Sequence, residues 1–326
     1  MSNLLPPTSS TTPPTPYVNS SGYIFHPLSA FSLPIARAAL LKTAKETYPD
    51  LMGTILIATE GINVRLSGPP SSITSFKILI NGTFNLTLSN YKDVTSSSCT
   101  LPRFLIKIKN HLIKFPLEMP MNPNSTVATH INTNEMKTLL SQGAQLFDTR
   151  NDYEFKLGKF KNAATIESLK TFQDLPSKLS DVNFKSNKVI MYCTGGIRCE
   201  KAQYMSSFPP NTELYQLNGG ILKYFEEDPS SALWEGGLFV FDERKCINSQ
   251  GEVIPVDCCF KCRNPIEIAT ASTTKGLVKC NECGYDDFYN VKGEERRRST
   301  GKKRKAEPPP PQPAPKKGTA NNNTYA

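Results

Sequence analysis

The run Val189-Ile190-Met191-Tyr192-Cys193-Thr194-Gly195-Gly196-Ile197-Arg198-Cys199-Glu200-Lys201-Ala202 organises the chain. Its apolar opening reads as a buried strand, and Glu200, Lys201, Ala202, Gln203 and Met205 beyond it are competent helix formers. Cys193 thus stands at a strand end, before a loop that feeds a helix N-terminus, where unpaired amides and the helix dipole favour a thiolate. Gly195 and Gly196 let the backbone turn its N–H groups inward, and Arg198 adds a permanent positive charge with a fork of donors. The expectation is a cradle for an anion on the Cys193 sulfur, lined by Thr194, Gly195, Gly196 and Ile197. The plainer reading is a structural cysteine before a Gly-rich turn.

The spacing from Cys193 to Arg198 is one residue shorter than the C-x5-R loop of cysteine phosphatases and leaves less room for a tetrahedral phosphate. It matches the active loop of rhodanese-type sulfurtransferases. The longer string Cys193-Thr194-Gly195-Gly196-Ile197-Arg198-Cys199-Glu200-Lys201-Ala202 resembles the rhodanese domain of the tRNA wobble-uridine hydroxylase (TrhO) family and its eukaryotic members. Upstream, Asp148-Thr149-Arg150, then Gly158 and Ala163, resemble the signature that precedes the rhodanese loop. That resemblance puts Asp148 and Arg150 beside the catalytic loop, holding it or orienting substrate; the alternative is a surface ion pair. Alternating strands and helices imply a parallel sheet with its site at the carboxyl ends of the strands. Asn218-Gly219-Gly220-Ile221 resembles the closing turn of such domains, and Pro229 and Trp234 end this one.

The 326 residues have room for two or three domains. Residues 1–20, rich in Ser, Thr, Pro and Asn and without Lys or Arg, read as a disordered tail and not as a mitochondrial transit peptide. Residues 21–117 carry a β-α-β-β-α-β pattern. A strand at Tyr23-Ile24-Phe25 precedes a helix from Leu33-Pro34; strands Gly53–Ala58 and Ile62–Leu66 are joined at Glu60-Gly61. A helix from Ser71-Ser72 and a strand at Phe104–Ile108 complete the unit. This order is the ferredoxin-like arrangement, and Gly53–Asn63 resembles the family's acylphosphatase-like domain. Arg103, Lys107 and Lys109 give the last strand a basic outer face, either solvated or tracking RNA phosphates. The overall class is α/β and α+β multidomain.

Residues 118–126 form a linker marked by Pro120 and Pro123, and 127–233 form the rhodanese domain. Residues 234–290 form a small metal-binding region, entered through Gly236–Arg244, a stretch close to a family motif whose Phe239, Val240 and Phe241 read as packing. Cys259-Phe260-Lys261-Cys262 and Cys280-Asn281-Glu282-Cys283 lie 17 residues apart, the pattern of a closed four-thiolate zinc site. Iron accepts the same ligands, and Cys258 is a poorer fit to the register than Cys259.

Residues 291–326 are a low-complexity basic tail with ten Lys or Arg against three Glu, which accounts for most of the formal charge of +9. It reads as a nuclear localisation signal, a nonspecific RNA-binding arm or simply a solvated basic tail on an otherwise cytoplasmic protein. Nine cysteines, four of them in CxxC pairs, indicate a reducing compartment, and no apolar run is long enough to span a membrane. The resemblance implies oxygen-dependent hydroxylation of the wobble uridine, with tRNA bound at its anticodon region, molecular oxygen as co-substrate, structural zinc and no organic cofactor. The runner-up is a thiosulfate-type sulfurtransferase holding a persulfide on Cys193, with Cys199 as a resolving thiol or a core residue. A non-enzymatic adaptor is a third reading, which the intact Cys193 and Arg198 oppose.

Overall fold

The computed structural model describes residues 16–116, 128–205, 208–259, 261–266, 276–284 and 286–289. The expected linker, most of the N-terminal tail and the basic C-terminal tail lie outside them.

The N-terminal unit runs β1 (Tyr17–Phe25), α1 (Ser32–Thr47), β2 (Met52–Ala58), β3 (Gly61–Gly68), α2 (Pro70–Phe84), β4 (Lys92–Ser96) and β5 (Phe104–Ile108). Its sheet order is β4-β1-β3-β2-β5. Two expectations need correction. β1 begins at Tyr17, inside the stretch read as tail, because Asn19 and Ser20 are buried there. Asn19 accepts from the hydroxyls of Ser67 and Thr100 and donates to Ser96. The expected order also omits a strand: the polar β4 pairs with β1 at one edge, and Phe104–Ile108 is a fifth strand, parallel to β2, at the other. β4 has little apolar periodicity because two of the three residues on its covered face, Lys92 and Ser96, are polar.

One face of this sheet packs on α1 and α2 through Leu40, Ile55, Ile62, Phe76 and Ile80. The register puts Asn19, Ser21, Tyr23, Asn63, Arg65 and Lys92 on the opposite face. That polar face covers the second domain.

The second domain contains β6 (Thr129–Ile131), α3 (Thr133–Ser141), β7 (Gln145–Asp148), α4 (Asp152–Leu157) and β8 (Gly158–Phe160). It continues with α5 (Leu175–Lys178), β9 (Lys188–Tyr192), α6 (Ile197–Ala202), β10 (Glu213–Leu217) and α7 (Gly220–Glu227). The sheet is β6-β10-β9-β7 with every pair parallel, as the alternating pattern requires. Asn132 and Glu135 start α3 with a reciprocal capping box. Two cores flank the sheet. On one side Phe160 meets Tyr192, Tyr224 and Trp234 edge-on at 4.8, 4.8 and 5.2 Å. On the other, Phe147, Leu169, Val189, Met191 and Cys199 pack together. Trp234 opens β11 (Trp234–Gly236), which pairs with β8.

Beyond it lie the short pairs β12 (Leu238–Phe239) with β13 (Cys246–Ile247), β14 (Asp257–Cys258) with β15 (Pro265–Ile266), and β16 (Gly276–Lys279) with β17 (Asp286–Tyr289). No helix of the described residues is long and apolar enough to cross a membrane.

Candidate functional site

Cys193 follows the carboxyl end of β9, and the chain then turns through Thr194-Gly195-Gly196 into α6. Two glycines are sterically required. Gly196 has φ +98°, and a Cβ there would sit 2.7 Å from the Tyr23 hydroxyl; a Cβ on Gly220 would sit 2.3 Å from the Cys193 carbonyl. The Gly196 N–H donates to Cys193 Sγ at 3.1 Å.

Burial alone would push the Cys193 thiol up. A hydrogen bond from Cys199, the Arg198 guanidinium and the backbone N–H groups of Arg198 and Gly195 outweigh it and hold the thiol well below its ordinary range. Cys199 shifts the other way, raised by burial and by the neighbouring Cys193. The pair therefore holds one thiolate, Cys193, and one thiol, Cys199. Thr149 Oγ1 lies 3.5 Å from the Cys199 sulfur and donates to the Tyr192 carbonyl at 3.0 Å, which ties the end of β7 to the loop.

Arg198 does not stand free in the cradle. It gives both terminal nitrogens to Glu154, at 2.6 and 2.8 Å, and one of them also to Thr194 Oγ1. Burial pushes Glu154 up, yet Arg198 keeps it below its usual value, so the pair is ionised. The sequence marks Glu154 as the N3 residue of a helix start at Asn151 and not as an ion-pair partner; the signal for that role is that a buried arginine needs a counter-ion.

Asp148 and Arg150 form no surface pair. Both are fully buried behind the loop, joined by bonds of 2.6–3.1 Å, with Arg150 also donating to the Gly158 carbonyl. Neither lines the cavity described next. Arg103, Lys107 and Lys109 are exposed and also lie outside it.

Cys193 sits at the floor of a cavity of about 290 Å³ with walls from three parts of the chain. The cysteine loop supplies Cys193, Thr194, Gly195, Ile197 and Arg198; Gly196 adjoins it beneath Tyr23. The open face of the N-terminal sheet supplies Tyr23, Asn63, Arg65 and Lys92, and the stretch after β12 supplies Phe241, Asp242 and Arg244. Tyr23 donates to Glu200 at 3.0 Å, Lys201 bonds Glu60 at 2.9 and 3.0 Å, and Arg65 donates to the Phe241 carbonyl at 3.0 Å. The Glu60-Gly61 turn thus holds the two domains together across the site. Phe239 and Val240 are buried as expected, but Phe241 is 42% exposed, with the guanidinium carbons of Arg65 and Arg198 at 5.7 and 5.9 Å from its ring centre.

The four sulfurs of Cys259, Cys262, Cys280 and Cys283 lie within 4.8 Å of one another, and two of the distances are 3.6 Å. Four thiolates at about 2.3 Å from a central ion have edges of about 3.8 Å, so the cluster fits one tetrahedral metal ion. Cys258 is not part of it. Glu282, inside the second knuckle, bridges Lys156 and Lys170 at 3.1 and 3.2 Å, and Lys156 also reaches Asn264. The knuckles therefore rest on α4, the helix that carries Glu154.

Residues 17–112 match the UPF0176 acylphosphatase like domain, and residues 132–227 match the rhodanese-like domain. Over 265 residues the chain is 35% identical to a tRNA uridine(34) hydroxylase of Rhizobium leguminosarum, covering 79% of this chain and 83% of that one. A protein of the same name from Rhizobium etli is 34% identical over 84% of this chain and 88% of its own length. One from Picosynechococcus is 36% identical over 72% and 80%. With both domains matched and relatives about 35% identical over more than two thirds of each chain, this protein belongs to the tRNA uridine(34) hydroxylase family.

Proposed function

We propose that this protein hydroxylates the wobble uridine of tRNA at ring carbon 5, with Cys193 as the catalytic nucleophile. The observation that carries the reading is the composite cavity. A bare sulfurtransferase loop has no use for Tyr23, Arg65, Lys92 and Phe241 around its sulfur, whereas a nucleotide needs apolar walls, polar edges and positive charge. The relatives' name supplies tRNA as the substrate, and the anticodon loop, single-stranded, presents the base that has to enter.

In this reading the Cys193 thiolate adds to ring carbon 6, which makes carbon 5 nucleophilic toward the oxidant. Molecular oxygen is the co-substrate. One oxygen atom enters at carbon 5 and the other leaves as water, so each turnover takes two electrons and two protons from an external two-electron reductant. Elimination across carbons 5 and 6 returns the thiolate. Arg198, Glu154 and Thr194 fix the loop, and Cys199 keeps its proton and hydrogen-bonds the thiolate. Cys259, Cys262, Cys280 and Cys283 would hold a structural zinc ion with no open position, which cross-links the knuckles and takes no part in the chemistry.

The test is nucleoside mass spectrometry of tRNA from cells lacking the protein, rescued with wild type or Cys193→Ala. The expected result is 5-hydroxyuridine and its derivatives restored by wild type alone. Restoration by Cys193→Ala removes the nucleophile from the mechanism, and no loss in the deletion strain removes the function. Sulfurtransfer is the second reading, favoured by the amide-lined sulfur, and purified protein with thiosulfate and cyanide tests it directly.

A further inference from the structure

Four cations line the cavity: Arg65, Lys92, Arg198 and Arg244. Their charges are not equally available. Glu154 neutralises Arg198, and Asp242 neutralises Arg244 through contacts of 3.0 and 2.7 Å. Arg65 donates a hydrogen bond to the Phe241 carbonyl and lies over that ring. Lys92 differs from all three. It is 4% exposed, yet among the described residues no carboxylate lies within ion-pair distance of it. Its ammonium lies 5.3 Å from the centre of the Tyr23 ring. Burial pushes it below its ordinary value, and the charge that opposes this most is the Cys193 thiolate, ahead of Glu226 and Glu200.

A lysine buried without a counter-ion is a cost that folding alone gives no reason to keep. Its position supplies a reason. Lys92 lies opposite Ser21 on the open face of the N-terminal sheet, so its side chain enters the cavity from the wall that faces the rhodanese loop. The sulfur and the ammonium belong to different domains, and both residues line the one cavity.

We propose that Lys92 is a catalytic residue: its ammonium holds the uracil carbonyl oxygen conjugated to ring carbon 6 while Cys193 adds there. In that step the sulfur–carbon 6 bond forms and the carbon 5–carbon 6 π pair moves through carbon 4 onto its oxygen. The negative charge leaves the sulfur and arrives beside Lys92. An ammonium placed in the cavity wall stabilises that enolate more than the neutral carbonyl, which is the condition for accelerating the step. Elimination reverses the flow. The proposal rests on the hydroxylase reading and gives the N-terminal domain a share in the chemistry beyond RNA binding.

The test compares the full-length wild type with Lys92→Met, Lys92→Gln and Lys92→Arg in three measurements. These are tRNA affinity, 5-hydroxyuridine formation, and covalent capture by Cys193 of an anticodon stem-loop with 5-fluorouridine at the wobble position, read as a peptide mass shift. For Lys92→Met and Lys92→Gln the expected results are tRNA affinity within threefold of wild type and at least a hundredfold loss of both hydroxylation and capture. Lys92→Arg recovers part of both. Lys92→Met also melts no lower than wild type, because it removes an unpaired buried charge, whereas a structural lysine lost from the wall lowers the melting temperature. Capture at the wild-type rate by Lys92→Met overturns the proposal. So does loss of affinity in step with loss of activity, which marks a phosphate contact. If Lys92→Met does not fold, Lys92→Gln and Lys92→Arg decide by the same criteria. Wild-type protein that neither captures nor hydroxylates refutes the hydroxylase reading itself, a separate outcome.

Discussion

Glu154 receives both terminal nitrogens of Arg198 inside the protein, at 2.6 and 2.8 Å, so the arginine of the cysteine loop carries its counter-ion with it. Arg198 still stabilises the Cys193 thiolate, but as one end of a fixed dipole and not as a free charge waiting for substrate. Removing the partner leaves the guanidinium buried and unpaired. Glu154→Ala is expected to cost about 3–5 kcal/mol of stability, the range for breaking a buried pair. Glu154→Gln, which keeps the shape and one acceptor, costs less. Urea denaturation checks both. A double variant, Glu154→Met with Arg198→Met, is expected to regain much of the stability without regaining hydroxylation, which separates the pair's structural part from its electrostatic one.

The two thiols of the loop titrate in opposite directions, and this sets a pH signature. Cys193 is held low by the Cys199 thiol, Arg198 and the loop amides against its burial, while Cys199 is held high. An ordinary thiol loses about tenfold in thiolate per pH unit below a pKa of about 8.5. Alkylation of Cys193 by a small reagent is expected to stay nearly flat from pH 8 to pH 6, because the thiolate is already formed across that window. Replacing Cys199 with Ala removes the donor, raises the Cys193 value and restores a slope in the same window. A steep wild-type profile over that range contradicts the thiolate assignment.

Much of the site is visible in the chain before it folds. The loop from Cys193 to Arg198 reads directly because glycine, thiol and cation occur together within six positions, each with a local chemical reason. The paired knuckles read for the same reason. What the residues conceal is long-range pairing. Glu154, Glu60 and Lys92 stand 44, 141 and 101 positions from Arg198, Lys201 and Cys193, and nothing local to them marks a partner. β4 is missed because Lys92-Asp93-Val94-Thr95-Ser96 carries polar residues on the face that covers the cavity, which hides its alternation. Phe241 reads as packing beside Phe239 because adjacent aromatics in a short strand region look alike until one is found facing the cavity.

The metal cluster makes its own prediction through α4. Glu282 in the second knuckle bridges Lys156 and Lys170, and Lys170 bonds Asp152, the first residue of α4. Stripping the metal with a chelator is expected to release one zinc ion per chain, to lower the melting temperature and to reduce hydroxylation partially. The Cys193 alkylation profile holds its shape, since its determinants are in the loop itself. Zinc released against chelator, read with a colorimetric indicator beside the melting curve, checks the stoichiometry. Cys259→Ser is expected to reproduce the loss of metal. Complete loss of hydroxylation with the fold intact contradicts a purely structural ion.

Phe241 supplies the last prediction. Its ring is flanked by Arg65 and Arg198, 42% exposed, and turned into the cavity that holds Cys193. Guanidinium groups beside a ring strengthen its use as a platform for a base, and stacking of one base on an aromatic side chain is worth about 1–3 kcal/mol. Phe241→Ala is expected to raise KM for tRNA by about fivefold to a hundredfold on that scale and to lower kcat less. Phe241→Tyr retains the platform and stays near wild type, whereas Phe241→Leu keeps the apolar volume without the π face and falls between. Steady-state kinetics on one purified tRNA distinguishes these outcomes. Equal behaviour of the Leu and Tyr variants returns Phe241 to a packing role, since only stacking separates a flat ring from an aliphatic chain of similar volume.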